Sequence, residues 1–397
     1  MKKIFSMFTC CCIIFALAAC SQEAAPTQQP TTTQAPTTEA TVPTTLATEP
    51  TAPISTAVYS APLAYVSMPP ITEAEVSGST TLSYYTYPAI SVVLPDADVA
   101  EVVKLDLLNR IDATTQTAQT VHATAKKDYS GQSDWYNYYI DVSYEVKRLD
   151  QNVLSVFGTE AAFDGSPNST TIGVSANYDL STGASLSLKS ILFPDFSADI
   201  LADLIVDGLN NYDETTLLPG YKEVIDQMFS TNVPVESWYF DNTGLCFYFA
   251  PYEIAPHSMG IIYSHVPYSS LSGLMKEAYF PMEDLAYSGT VEITSMNKLE
   301  NNVLDAFDQF GELTIGEGGN KFLLTTNGSV LNLQIYEAYE SFDGGNIIPS
   351  KMLFASAGMG PAHAVILDIP TETSLLYITY ESNGETVSTK FSISTEQ

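Results

Sequence analysis

From Ser21 to about Ala57 the chain is almost wholly Thr, Pro, Ala, Gln, Ser and Glu, as in Thr31-Thr32-Thr33-Gln34-Ala35-Pro36-Thr37-Thr38, with almost nothing apolar large enough to build a core. Such a segment cannot offset the entropy of ordering and is expected to be an extended, partly polyproline tether. A core can therefore be built only from about Val58 onward, roughly 340 residues, enough for two or three domains. Cys10, Cys11, Cys12 and Cys20 all precede that point, so Cys246 is left without a partner. No intrachain disulfide or cysteine metal cluster can staple the folded part. Its stability must come from ordinary cores, to which the many Phe and Tyr residues contribute.

Upstream of the tether, the basic start Lys2-Lys3, the apolar run Ile13 to Ala19 and the small residues Ala18 and Ala19 have the layout of a secretory signal peptide. The apolar run from Ile4 is broken by Ser6 and Thr9 and falls short of the ~20 residues of a spanning helix. Leu17-Ala18-Ala19-Cys20 resembles the lipobox of bacterial lipoproteins. That resemblance implies a signal peptide over residues 1–20, lipidation at Cys20, a tether over 21–57, and a head held at the extracytoplasmic face of the cell membrane. The formal net charge is -31, which repels nucleic acid and steers cationic partners toward the surface. The same charge also serves plain solubility.

Periodicity divides the head into three expected regions, 58–163, 164–282 and 289–397. In the first, Pro95-Asp96-Ala97-Asp98 precedes Val99, Val102, Val103, Leu107, Leu108 and Ile111 at helical spacing, so Asp96 or Asp98 caps an amphipathic helix, followed by a polar stretch. Tyr138, Ile140, Val142, Tyr144 and Val146 then alternate with polar residues as a half-buried strand. Val153 to Phe157 and Ile172 to Tyr178 are further strands, and Asp179-Leu180-Ser181-Thr182-Gly183 is a turn, after which Leu186 and Leu188 resume the apolar face. Helices are expected over Ser197 to Tyr212 and Tyr221 to Phe229, and a hairpin around Asn242-Thr243-Gly244. In the third region Phe322–Thr326 is expected to meet Val330–Tyr336 across Asn327-Gly328-Ser329, and Leu375–Tyr380 to meet Thr389–Ser394 across Asn383-Gly384. Alternating strands between such turns predict a small all-β, sandwich-like domain.

The run Phe247-Tyr248-Phe249-Ala250-Pro251-Tyr252-Glu253-Ile254-Ala255-Pro256, then Gly260 and Val266-Pro267-Tyr268-Ser269-Ser270-Leu271, resembles the signature of the extracytoplasmic domain family found in the anti-sigma factor RsiV and beside the polysaccharide deacetylase PdaC. Tyr178 to Gly183, with Leu186 to Leu192, resembles the same family's aspartate, threonine-glycine and leucine turn. Together these cover about Tyr84 to Met282. The resemblance implies an α+β fold, with helices packed on one face of a mainly antiparallel sheet. It also implies a binding role, since the RsiV domain senses lysozyme by binding it. The chain departs from many relatives at Phe163 to Asn168, where they carry Gly-Ala-His.

Catalytic patterns are sparse. His122, His257, His265 and His363 form no His-Glu-x-x-His, and His257 and His265, eight apart, are expected as loop residues rather than metal ligands. Ser295-Met296-Asn297-Lys298 lacks the companion motifs of penicillin-binding enzymes, Ile315 to Gly319 lacks the ending of a phosphate loop, and Asp343-Gly344-Gly345-Asn346 is half a calcium loop without its Glu. No metal and no cofactor are expected. Tyr252, Glu253 and His257 are the candidate binding surface, on a turn stiffened by Pro251 and Pro256. Local turn chemistry predicts instead that Tyr252 packs under the turn while Glu253 caps a backbone amide. The expected function is a lipid-anchored, non-catalytic binding or sensing module for a cationic protein such as lysozyme or for cell-wall glycan, with no nucleic-acid partner. A peptidoglycan-related hydrolase or accessory factor is the alternative.

Overall fold

Asp96 accepts hydrogen bonds from the backbone N–H groups of Asp98 and Val99, and the helix Ala97–Asp128 begins there. In the computed structural model, which describes residues 58–230, 235–281, 286–341 and 346–393, this helix continues far beyond Ile111 instead of giving way to a polar stretch. Thr114, Ala118, Val121 and Ala125 prolong the buried stripe of Val99, Val103, Leu107 and Ile111, and their small side chains let the last turns lie close to the sheet. Cys20, the tract 21–57 and Asp343-Gly344-Gly345 lie outside the described residues. Among the described residues no helix is long and apolar enough to cross a membrane.

The helix covers one face of a six-stranded sheet with the order Pro70–Ser77, Thr80–Pro88, Tyr138–Leu149, Val153–Phe163, Thr170–Asp179 and Ala184–Ser185. All its pairings are antiparallel except that between Thr80–Pro88 and Tyr138–Leu149, the two strands joined through the helix. Ile140, Val142, Tyr144 and Val146 face the helix as their alternation requires. Asp179 accepts from the N–H of Ser181 and Gly183 takes φ 72°, which closes the expected turn. Leu186 and Leu188 then leave the sheet's apolar face for a second core, and Leu188 opens a short helix, Leu188–Ile191.

That second core lies between the helices Ala198–Asp207 and Tyr221–Ser230 and a three-stranded antiparallel sheet of Ile262–Pro267, Gly244–Phe249 and Trp238–Phe240. Ser197 caps the first of these helices through the N–H of Ile200, while the Ile200 side chain stays 52% exposed and outside the buried stripe. The small sheet docks on the face of the larger one that is turned away from the long helix. There Ser155 donates to Asn177 Oδ1 at 2.6 Å, and the Phe240 N–H donates to Ser155 Oγ at 3.0 Å.

The third core is enclosed by two sheets. One has the order Val291–Ser295, Gly319–Thr326, His363–Pro370 and Gln309–Thr314, its last pair parallel. The other runs Glu385–Ser392, Leu375–Ser382, Val330–Glu340, Ile347–Met359, Tyr65–Ser67 and Ser91–Val93. The expected hairpin at Asn383-Gly384 is present, with φ 56° and 74° at its two turn residues. The expected hairpin at Asn327-Gly328-Ser329 is not. Gly319–Thr326 and Val330–Glu340 belong to different sheets, and the chain crosses the edge of the sandwich between them. Phe322 and Leu324 from one strand, and Val330, Leu333 and Ile335 from the other, meet across the core instead of side by side. Gly328 sits where a Cβ would come within 2.2 Å of the Ser288 carbonyl, so this corner has no room for a larger residue. Strands from 65–67 and 91–93 complete the C-terminal sheet, and the described residues fall in one compact unit. The whole is an α+β arrangement with a mostly β C-terminal part.

Candidate functional site

The loop after Gly244–Phe249 is built from the inside out. Ile254 and Ala255 are buried beneath it, and the Leu218 N–H donates to the Ile254 carbonyl at 2.8 Å, fastening the loop to the neighbouring segment. The Tyr252 N–H donates to the Ala255 carbonyl and the Glu253 N–H to the Ala250 carbonyl, both at 3.0 Å. Glu253 Oε2 accepts from the Ala250 N–H at 2.8 Å, the expected cap. Tyr252 does not pack under the turn. It is held at φ 73°, a region costly for a bulky residue, and its side chain stands 65% exposed with the ring 5.2 Å from that of His257. The structure thus brings Tyr252, Glu253 and His257 together in one hydrogen-bonded loop.

The two histidines of this region part company. His257 opens a short 3-10 turn, His257–Met259, whereas His265 is not a loop residue but lies within the strand Ile262–Pro267. Its Nε2 is 2.9 Å from Thr243 Oγ1 and 3.4 Å from Asp241 Oδ2. His122 Nδ1 is engaged by Ser83 Oγ at 2.7 Å, and His363 is buried with Nδ1 accepting the Gly360 N–H at 3.2 Å. Among the described residues no group of three His, Cys, Asp or Glu side chains is placed to hold a metal ion. Cys246 is buried, and desolvation pushes its thiol up to about 11, far from a reactive thiolate.

A polar centre that the sequence pattern conceals lies where the large sheet meets the small one. Plain alternation from Val146 would place Arg148 among the core residues under the long helix. A register shift between Val146 and Arg148 turns it to the opposite face, leaving Leu149 in that core. Arg148 is only 2% exposed. Its Nε donates to Asp150 Oδ2 at 2.7 Å, and Nη1 donates to Tyr268 Oη and the Tyr279 carbonyl, both at 2.7 Å. Nη2 lies 2.6 Å from Asp150 Oδ2 without a hydrogen bond of its own. The guanidinium also sits 5.2 Å from the Phe240 ring and 5.4 Å from that of Tyr268. Asp150 Oδ1 meanwhile accepts from the N–H groups of Asn152 and Val153. Its trace in the sequence is the charged pair Arg148 and Asp150, two apart at a strand end, which does not tell the face that either takes.

Comparison with known proteins matches residues 191–269 to DUF3298, a protein family of unknown function; the matched segment contains the Tyr252 turn and Tyr268. No curated protein matches the chain. Among solved structures, a member of the DUF3298 family from Bacteroides fragilis is similar at 17% identity, covering 54% of this chain and 94% of its own, with a TM-score of 0.40. A DUF3298 family protein from Pseudomonas aeruginosa is similar at 15% identity, covering 55% of this chain and 97% of its own, with a TM-score of 0.39.

Proposed function

We propose that this chain is an extracytoplasmic lipoprotein, anchored through a lipid on Cys20, whose folded part is a non-catalytic, RsiV-like binding or sensing module. The observation that carries the proposal is Tyr252, kept at a costly backbone conformation with its ring turned to solvent beside Glu253 and His257. A residue held in strain away from the core serves presentation better than packing. The partner that best fits an acidic protein of net charge -31 is a cationic protein such as lysozyme.

The test is titration of lysozyme against the full-length protein at low and high salt, comparing wild type with Tyr252→Ala and Glu253→Ala. Affinity should fall as salt screens the charge, yet keep a component that salt does not remove and that Tyr252→Ala weakens roughly tenfold, as expected for an aromatic anchor. Binding that vanishes with salt and ignores both substitutions overturns the proposal. Cys20→Ala should in parallel release the protein from the membrane fraction, and continued membrane association would remove the lipid anchor from it.

A further inference from the structure

A cavity of about 370 Å³ opens apart from the Tyr252 turn, between the segment Tyr59 to Ala61, the strand end at Arg148, the hairpin tip at Asn242 and the sandwich strands at Asn332 and Glu381. Its volume lies in the range of pockets that enclose a small molecule. Arg148 lines it while being only 2% exposed, and Nη2 is the guanidinium nitrogen left without a hydrogen bond. A buried donor without an acceptor is costly, so the site gains from an oxygen offered to it.

The rest of the lining decides what carries that oxygen. One cation, Arg148, stands against three carboxylates, Asp150, Glu381 and Glu385, so an anionic guest meets excess negative charge. An ammonium group has no acceptor to give a guanidinium nitrogen. The guest is therefore uncharged and accepts from Arg148. It must also donate, because Glu381 is an acceptor held in place. Asn332 interrupts its strand at a register shift with φ 47°, a left-handed conformation that Asn tolerates, and its Nδ2 donates to Glu381 Oε1 at 2.7 Å. Thr386, opposite Glu381 in the hairpin register and so on the same face, adds a hydroxyl to the lining. Asn242 adds an amide that has no partner among the described residues. Hydroxyl groups both donate and accept, and an acyl oxygen accepts alone. Tyr59 and Tyr287, edge to face at 6.1 Å, supply apolar surface beside these polar groups, as the C–H faces of a sugar ring require.

We infer that this cavity is a binding site for an uncharged saccharide of one or two sugar units, which accepts a hydrogen bond from Arg148 and donates to Glu381. The site is distinct from the Tyr252 surface and does not depend on it.

The probe is N,N′-diacetylchitobiose, titrated calorimetrically into the full-length protein at low and high salt. Glutarate serves as the anion, 1,5-diaminopentane as the cation and N-acetylglycinamide as a neutral amide without hydroxyls. Saturable binding of the disaccharide alone is expected, with the same affinity at both salt concentrations, because no net charge is paired. Arg148→Lys keeps a cation for Asp150 but lacks the spare nitrogen, and should weaken binding roughly tenfold, the loss of one hydrogen bond from a charged donor. Asn242→Ala, at the hairpin tip, should weaken it roughly threefold, the loss of a neutral one. Gln119→Ala, exposed on the long helix and outside the cavity, should bind as wild type does. No binding of the disaccharide, equal or tighter binding of any of the three comparison compounds, or wild-type affinity in both Arg148→Lys and Asn242→Ala would each overturn the inference. If Arg148→Lys does not fold, Asn242→Ala against Gln119→Ala decides it.

Discussion

Arg148→Met removes a buried cation while keeping most of the side-chain stem, so the cavity it leaves is small and the loss is mainly electrostatic. Breaking one side of a buried ion pair costs about 3–5 kcal/mol, because the remaining partner stays desolvated. Here that remainder is Asp150, whose side chain is 24% exposed and whose Oδ1 keeps two backbone donors, so part of its charge can be solvated. Tyr268 Oη still donates to the Asp241 carbonyl at 2.8 Å, which leaves the Tyr279 carbonyl as the group stripped of its donor. The expected loss is therefore at the lower end, about 3 kcal/mol. Asp150→Asn is the opposite case. Its amide oxygen can still cap the turn, but it strands a guanidinium that is 2% exposed, and the expected loss is nearer 5 kcal/mol. The double variant should lose less than the two single losses added together, since neither charge is then left alone. Urea unfolding followed by tryptophan fluorescence measures all three, Trp238 being buried in the core that Arg148 abuts. A loss below about 1 kcal/mol for Arg148→Met, or a smaller loss for Asp150→Asn than for Arg148→Met, would refute the assignment of Arg148 as a buried, compensated charge at the junction.

Two further predictions concern packing and pH. Gly158→Ala should destabilise the large sheet by roughly 3 kcal/mol in the same unfolding assay, because its Cβ would lie 1.8 Å from the Ser143 carbonyl oxygen and 2.4 Å from the Tyr144 ring. His363 has its pKa lowered by burial, so its contribution to stability is present above the unfolded-state value near 6.5 and is lost as pH falls through the lower folded value. Thermal midpoints taken between pH 7 and 5 should therefore drop more in wild type than in His363→Gln, and parallel curves would show that this imidazole takes up its proton equally in the folded and unfolded chain, which would refute the lowering.

Much of the local structure follows from the residues alone. The Asp96 cap, the alternation from Tyr138 to Val146, the Asp179–Gly183 turn and the Asn383-Gly384 hairpin all depend on interactions within a few positions, which a sequence displays directly. Asn327-Gly328-Ser329 carries an equally good turn signal, but a turn residue does not encode whether the next strand lies beside its predecessor or across the core from it. The helix beyond Ile111 was hidden because Thr and Ala look polar or neutral in a pattern, yet fit where helix and sheet approach closely. On the candidate site, the clustering of Tyr252, Glu253 and His257 was legible from two flanking prolines, while the exposure of Tyr252 depended on its φ. Arg148 and Asn332 were illegible for a shared reason. Each sits at a register shift, and one extra residue reverses the face to which alternation would assign everything after it.

The strand Tyr65–Ser67 lies between Ile347–Met359 and Ser91–Val93, and Ser356 Oγ donates to the Ala64 carbonyl at 2.8 Å across 292 positions of chain. On a chain made from its N-terminus, the short ribbon of Tyr65–Ser67 with Ser91–Val93 can form early, but its other edge must wait until Ile347–Met359 has been synthesised. Val66, fully buried in the finished molecule, lacks that edge for the interval, and loss of Ile347–Met359 would leave it so permanently. Closing so long a loop is slow, and it makes Ile347–Met359 the latch on Tyr65–Ser67. A molecule that has completed this pairing has therefore been synthesised at least as far as Ser356.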